Sequence, residues 1–420
     1  MKLKLVYKGN RIRLPVRIQN KLNNGFLEIE IITAIRSKFF VTYFTKGRRI
    51  TIPKKCREAL RLKNGQVITV EIKKVRNVQK PTKMLNGDSI DLLYFLLQKT
   101  MSGFPIYCKC CKDKIFLWYP ARGRPKEIEF NRYVPKNFAK MLGYLQAEGG
   151  KPVLRRRRGR EFSFTNKSLT LISDFLQLSK AFIDVSLFKA TISINPKFKR
   201  IKKVESFLVK LGIPNKNIFI RRIGRVKEFT IKLWITNSLL AEFCYNAMNE
   251  IRKYLTKSNP DRDLLKFFLQ GLLLGDGNVY CYKDESNSLH TRLQIFESNE
   301  QYIKDYEKIL AHINVKGKIK KSKARNLFIL TSYLNWHRLI ELMQIFPKDS
   351  KQFNILICAL KSHRKYRVLK HLITMNSKFT VLKLRSSIRR NRYFIMRLLK
   401  SMEKSNIVRG SAYIGIGRSM

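Results

Sequence analysis

Residues 268–280, FLQGLLLGDGNVY, end an apolar helical run in Gly-Asp-Gly and so place the Asp276 carboxylate at a helix C-terminus. The macrodipole is negative there, so an acid in that place needs a compensating partner, and a divalent cation suits it. Residues 138–150, FAKMLGYLQAEGG, repeat the pattern with Glu148 as the acid. Gly143 and Ala147 on one helix, and Gly271 and Gly275 on the other, recur four apart, on one face of each. Small residues so placed let two backbones approach. Two such helices side by side would gather Glu148 and Asp276 at one seam, the arrangement that holds metal for phosphodiester hydrolysis. The plainer alternative is a pair of buried helices, each ending in a glycine cap beside an incidental acid.

Both stretches, MLGYLQAEGG (141–150) and LQGLLLGDG (269–277), resemble the LAGLIDADG motif of homing endonucleases. The first departs from it at Tyr144, Gln146 and Glu148, the second at Gln270, Leu274 and Gly275, and both keep the last acid and the last glycine. The resemblance implies an α+β fold: a pseudo-symmetric αββαββα saddle of two repeats, at 135–258 and 259–360, whose antiparallel sheets read a long duplex target. It also implies that Glu148 and Asp276 bind Mg²⁺ and activate water, one acid per strand. FSFTNKSLTLISDFL (162–176) resembles the segment that follows the motif in these enzymes, which makes Asn166 and Lys167 candidates to assist water or stabilise charge. The alternative for 165–168 is a simple helix start. In the second repeat Glu297-Ser298 replaces Asn166-Lys167, which leaves open whether both strands are cut equally.

Composition points to a polyanionic partner. Lys and Arg number 87 against 29 Asp and Glu, a formal charge of +58, more than solubility requires. A hydrophobic content of 44% with 27 Phe marks a folded chain of several domains, not a basic tail. No apolar run approaches membrane-spanning length and the N-terminus lacks a signal-peptide core, so no membrane partner and a cytoplasmic, nucleoid-associated location are expected. The chain starts Met-Lys and ends Arg-Ser-Met, without the nucleophiles of a self-splicing element, so a freestanding protein is expected. Of the seven cysteines only Cys108, Cys110 and Cys111 cluster; no second pair follows them, which favours reduced thiols over a structural zinc.

Residues 1–80 contain an internal repeat: KGNRIRLP (8–15) is echoed by KGRRITIP (46–53). Each copy continues through a short helix to a glycine and closes on an alternating strand, EIEI (28–31) or TVEI (69–72), with proline expected at helix position N1. The second copy resembles the AbrB-type swapped-hairpin DNA-binding domain, so a tandem pseudo-dimer is expected, with Arg48 and Arg49 touching nucleic acid. A plain β-rich accessory domain is the alternative. Residues 81–134 form a connector, with a helix expected over 88–100 and then a small β-rich piece.

Arg155, Arg156, Arg157, Arg158 and Arg160 sit on a turn between two strands, as a twisted ribbon for the major groove or as a solvated, phosphate-binding turn. Residues 361–420 resemble a winged helix-turn-helix, whose longest helix would present Arg389, Arg390 and Arg392 to DNA; a helical cap is the alternative.

Two functions follow. One is a metal-dependent, site-specific endonuclease acting on double-stranded DNA, a monomer with internal pseudo-dimers. The other is a non-cleaving nucleic-acid binder on the same scaffold, a transcription regulator or an RNA-binding maturase or ribosome-associated protein.

Overall fold

A computed structural model describes residues 1–362 apart from positions 46, 48, 76–77, 121–125, 150–160, 225, 284, 286–288 and 323–326. The chain forms two compact units, one from Met1 to Ile251 and one from Arg252 onward. Among the described residues no helix is long and apolar enough to cross a membrane.

The first 74 residues fold as two copies of one pattern. The first copy is β1 (Lys2–Val6), β2 (Arg11–Ile12), α1 (Val16–Lys21) and β3 (Gly25–Ile32). The second is β4 (Ser37–Phe44), β5 (Ile50–Thr51), α2 (Lys54–Leu60) and β6 (Val67–Lys74). Every strand pairing joins one copy to the other: the sheet runs β1-β6-β3-β4, antiparallel throughout, and β2 pairs with β5. Ile29 lies opposite Ile72 and Ile31 opposite Val70 on the central pair, all buried in one core with Ile12, Ile50 and Ile52. A single copy therefore has no strand partner of its own, and the two halves interleave. Pro15 and Pro53 occupy the N-cap, one position earlier than expected, both at φ −55°. Their carbonyls accept from the Gln19 and Arg57 amides, 3.0 and 3.1 Å away, so the fixed φ of proline starts each helix without a side-chain cap.

The connector holds β7 (Leu85–Asn86), β8 (Ser89–Asp91), β9 (Tyr107–Cys111), β10 (Lys114–Tyr119), β11 (Lys126–Asn131) and β12 (Tyr133–Pro135). They form two three-stranded sheets, β11-β10-β9 and β12-β8-β7. The helix expected over 88–100 does not form. Instead β8 pairs with β12, and a 3₁₀ turn (Leu92–Phe95) follows. Asp91 decides this: its carboxylate accepts the Leu93 amide at 3.0 Å and meets the Arg132 guanidinium at 2.8 Å, which fixes the strand end.

The rest of the first unit comprises α3 (Phe138–Glu148), β13 (Phe162–Asn166), α4 (Leu169–Lys180), β14 (Lys189–Ile194), α5 (Ile201–Lys210), β15 (Ile218–Arg222), β16 (Phe229–Ile235) and most of α6 (Ser238–Leu255), whose last turn from Arg252 belongs to the second unit. The sheet order is β13-β16-β14-β15. In the second unit come α7 (Arg262–Gly275), β17 (Asn278–Lys283), β18 (Leu289–Glu297), α8 (Glu300–Ala311), β19 (Lys318–Ser322), β20 (Leu327–Tyr333), α9 (Trp336–Ile345) and α10 (Lys351–Ser362). Here the order is β17-β18-β20-β19, all antiparallel. α7 through α9 is thus helix, hairpin, helix, hairpin, helix, with α10 as an addition.

The first repeat corrects the expected symmetry. β13-β16-β14 matches β18-β20-β19, but α5 and β15 interrupt the second hairpin and add an edge strand. β15 runs parallel to β14, because the α5 crossover returns the chain to the same end of the sheet. A turn separates β15 from β16.

The apolar patterns explain the central helices. α7 buries Leu264, Leu265, Phe268, Leu269, Leu272 and Leu273, and α3 buries Phe138, Met141, Leu142, Tyr144 and Leu145. Apolar residues on more than one stripe require cover on more than one side.

Candidate functional site

Glu148 is the last residue of α3, and Gly149 ends the helix with its amide on the Leu145 carbonyl at 3.0 Å. Asp276 caps α7 in helical backbone, φ −100° and ψ −8°, with its amide on the Leu272 carbonyl at 3.0 Å. The two following glycines are equivalent in a stricter sense. A Cβ on Gly149 would collide with the Leu145 backbone, and one on Gly277 with the Leu273 backbone, four residues back in each case. Gly149 sits at φ −78°, so it is required for close approach and not for a left-handed cap.

Glu148 is half-buried, and burial pushes its carboxyl pKa upward. The negative end of α3 adds to that penalty. Among the described residues its hydrogen-bond partner is Asn166, whose Nδ2 donates to Glu148 Oε1 at 3.4 Å, and it forms no ion pair. Asn166 ends β13 and also accepts the Ser168 amide at 2.8 Å; Ser168 in turn caps α4 through the Leu171 amide. The segment is therefore a helix start and a contact to the acid at once. Lys167, between them, is exposed. Asp174 of α4 ties this corner to α3, accepting from the Tyr144 hydroxyl at 2.6 Å and the Lys140 ammonium at 2.7 Å.

In the second unit Glu297 ends β18 two residues before the cap Asn299, as Asn166 stands two before Ser168. Its Oε1 accepts from the Ser298 and Asn299 amides at 2.8 and 3.1 Å, and its Oε2 from the Tyr306 hydroxyl at 3.2 Å. Burial and then the charges of Glu297 and Asp276 hold the Tyr306 phenol well above its ordinary range. Asp305, the counterpart of Asp174, meets Arg252 at 2.9 Å, and that guanidinium lies 3.6 Å from the centre of the Tyr302 ring.

The sheets β13-β16-β14-β15 and β17-β18-β20-β19 each have one apolar face and one polar face. In the second unit Val279, Leu293, Ile295 and Leu330 are buried, while Arg292, Gln294, Thr331 and Tyr333 alternate with them. Arg292 lies between the Tyr282 and Tyr333 rings, 4.1 and 4.4 Å from their centres. Gln294 Nε2 donates to Thr331 Oγ1 at 3.3 Å, and Lys318 and Lys320 lie opposite Thr331 and Ile329. In the first unit Lys189, Thr191, Lys232 and Trp234 share the polar face; Trp234 Nε1 donates to Thr191 Oγ1 at 3.1 Å under the Lys189 ammonium. These face residues were missed as candidates, although the alternation in LHTRLQIFES signals them.

Arg49 is exposed and lines a cavity of about 540 Å³ with Lys8, Asn10, Arg11 and Asn64, where the two N-terminal copies meet. Arg48, the Arg155, Arg156, Arg157, Arg158 and Arg160 cluster, and Arg389, Arg390 and Arg392 of the winged helix expected over 361–420 lie outside the described residues; Lys361 and Ser362 belong to α10. All seven cysteines are free thiols, and burial pushes Cys108 up to about 12.

Among the described residues no group of three or more His, Cys, Asp and Glu side chains gathers to hold a metal. Mg²⁺ does not need one, since one or two carboxylates with substrate phosphates and water complete its shell. A half-buried carboxylate without a cationic partner, as at Glu148, is a donor of that kind.

No family model and no curated protein matches the sequence. Among solved structures the chain is similar to mesophilic variants of the homing endonuclease I-DmoI, at 18% identity over 54% of this chain and 98% of that one, TM-score 0.33. It is similar to a variant of I-SmaMI at 14% identity, 64% and 99% coverage and TM-score 0.33. It is also similar to the N-terminal LAGLIDADG domain of DUF199/WhiA at 15% identity, 55% and 86% coverage and TM-score 0.27. Likenesses this low show no shared family.

Proposed function

We propose that the protein is a metal-dependent endonuclease of the homing-endonuclease type that cuts double-stranded DNA, with Glu148 and Asp276 as the acids of two centres, one for each strand. The observation that carries this is the equivalence of the two acids, each at the end of an apolar helix and each followed by a glycine that has no room for a Cβ. An ordinary helix end has no need of a half-buried carboxylate at the negative pole.

Mg²⁺ is the ion proposed; when bound, it supplies Lewis-acid polarisation and a more acidic water. Glu148 in one centre and Asp276 in the other would each hold an ion through its carboxylate. Asn166 orients the Glu148 carboxylate, and Lys167, free in solvent, is placed to meet charge on the scissile phosphate. The polar faces bearing Lys189, Lys232, Arg292 and Gln294 bind and orient the duplex, through phosphates and base edges. The N-terminal pseudo-dimer, read as AbrB-like, adds a second DNA contact at Arg49, and a nucleoid location follows from such binding.

The test is incubation of supercoiled plasmid DNA with Mg²⁺ or with a chelator, using wild type and Glu148→Gln. Linear product made only by wild type with Mg²⁺ supports the assignment; full activity in Glu148→Gln refutes it.

Glu297 favours a second reading, a nucleic-acid binder that does not cut. It stands where the first repeat has Asn166, and its oxygens are engaged by its own turn and Tyr306. The partner is then DNA or RNA held by the same faces, and binding is indifferent to the acids.

A further inference from the structure

We propose that the α5–β15 insertion is an additional nucleic-acid contact strand, which lengthens the duplex contact of the first unit relative to that of the second. This rests on the reading that the polar sheet faces bind a duplex. β15 is an edge strand with β14 as its neighbour, and its register puts Phe219 beside Thr191 and Arg221 beside Ser193. Thr191 and Ser193 lie opposite Lys232 and Thr230 of β16, so the polar face continues onto the inserted strand.

Phe219 is directed to that face by its neighbour: its ring stacks on Trp234 at 6.4 Å between centroids, and Trp234 is itself tethered to Thr191 beneath the Lys189 ammonium. Phe219 is nonetheless 43% exposed, so apolar surface is held out at the end of an ordered Lys189–Trp234–Phe219 row. Charge selects the occupant. Between positions 195 and 228 the acids are Glu205 and Glu228, against Lys197, Lys199, Arg200, Lys216, Arg221 and Arg222 among the basic residues. A polyanion with apolar patches suits this row, as a duplex does with its phosphates and thymine methyls. One added strand widens a sheet by about 4.8 Å, roughly one more phosphate along a DNA strand.

The experiment is anisotropy of the full chain with a labelled, random-sequence DNA duplex over a salt series, comparing wild type with Arg221→Ala, Arg222→Ala, Phe219→Ala and Arg292→Ala. Arg221→Ala should weaken binding about fivefold and make the log–log salt slope shallower by about 0.9, one phosphate contact. Phe219→Ala should weaken binding with the slope unchanged. Arg222, the next residue and on the opposite face by alternation, should change neither. If Arg292→Ala weakens binding and Arg221→Ala does not, the insertion proposal fails while the duplex reading stands. Equal losses in Arg221→Ala and Arg222→Ala would also overturn it, since they would reflect total charge. Absence of duplex binding by wild type overturns both readings.

Discussion

The Asn166 amide donates to the Glu148 carboxylate at 3.4 Å, and so the strand end β13 and the helix end α3 meet at one acid. A hydrogen bond to the charged form favours ionisation, against the burial that opposes it. Asn166→Ala should therefore raise the Glu148 pKa further. Cleavage should slow about tenfold at neutral pH, and the acidic limb of the pH–rate profile should move to higher pH. A slower rate with an unmoved limb would show that Asn166 acts elsewhere.

Burial of Glu148 should also be visible in stability. Its folded-state pKa is raised, so folding is favoured while the carboxyl is protonated. The cost is absent below the unfolded value of about 4.3 and grows as pH rises through the folded value. Glu148→Gln should therefore raise Tm at pH 7, and the gain should vanish at acid pH. Thermal unfolding of both proteins across pH checks this, and equal Tm at pH 7 would contradict it.

Unequal centres should give unequal cutting. Glu297 and Ser298 replace the Asn166–Lys167 pair, so the strand served by Asp276 should be cut more slowly and nicked DNA should accumulate before linear product. Glu297→Asn combined with Ser298→Lys should shorten the life of the nicked form. Gel analysis of a plasmid time course reads both.

The two glycines should be intolerant of any side chain. Gly149→Ala and Gly277→Ala each force a Cβ against helix backbone, and each should cost about 1–3 kcal/mol by urea denaturation. Loss in one and not the other would mean that the motif ends are not equivalent.

Much of this was legible in the sequence because it is periodic or repeated. The two acid-glycine helix ends and the doubled KG–R–I–P segment announced themselves as repeats, and alternation in EIEI and TVEI gave the central strands. Periodicity did not reveal the interleaving of the N-terminal copies, since nothing in one copy says that β3 will pair with β6 and β4. Other features depend on contacts far apart in sequence. Residues 88–100 read as one helix, yet the bond of Asp91 with Arg132 and the pairing of β8 with β12 set a strand and a short 3₁₀ turn. The α5–β15 insertion was hidden because IKKVESFLVK buries little more than Val204 and Leu208, and because 222–235 looks continuous across its turn. Arg292 was passed over since its role depends on Tyr282 and Tyr333, which arrive from two other strands.

The central proposal is that Glu148 and Asp276 serve catalysis. The most direct measurement is cleavage of a randomised double-stranded DNA library with Mg²⁺, by wild type beside the Glu148→Gln, Asp276→Asn double variant. Site-specific double-strand breaks by wild type, lost in the double variant while duplex affinity is kept, are the expected result. No cleavage by wild type, with both proteins binding the library equally, would contradict the proposal and leave a nucleic-acid-binding scaffold.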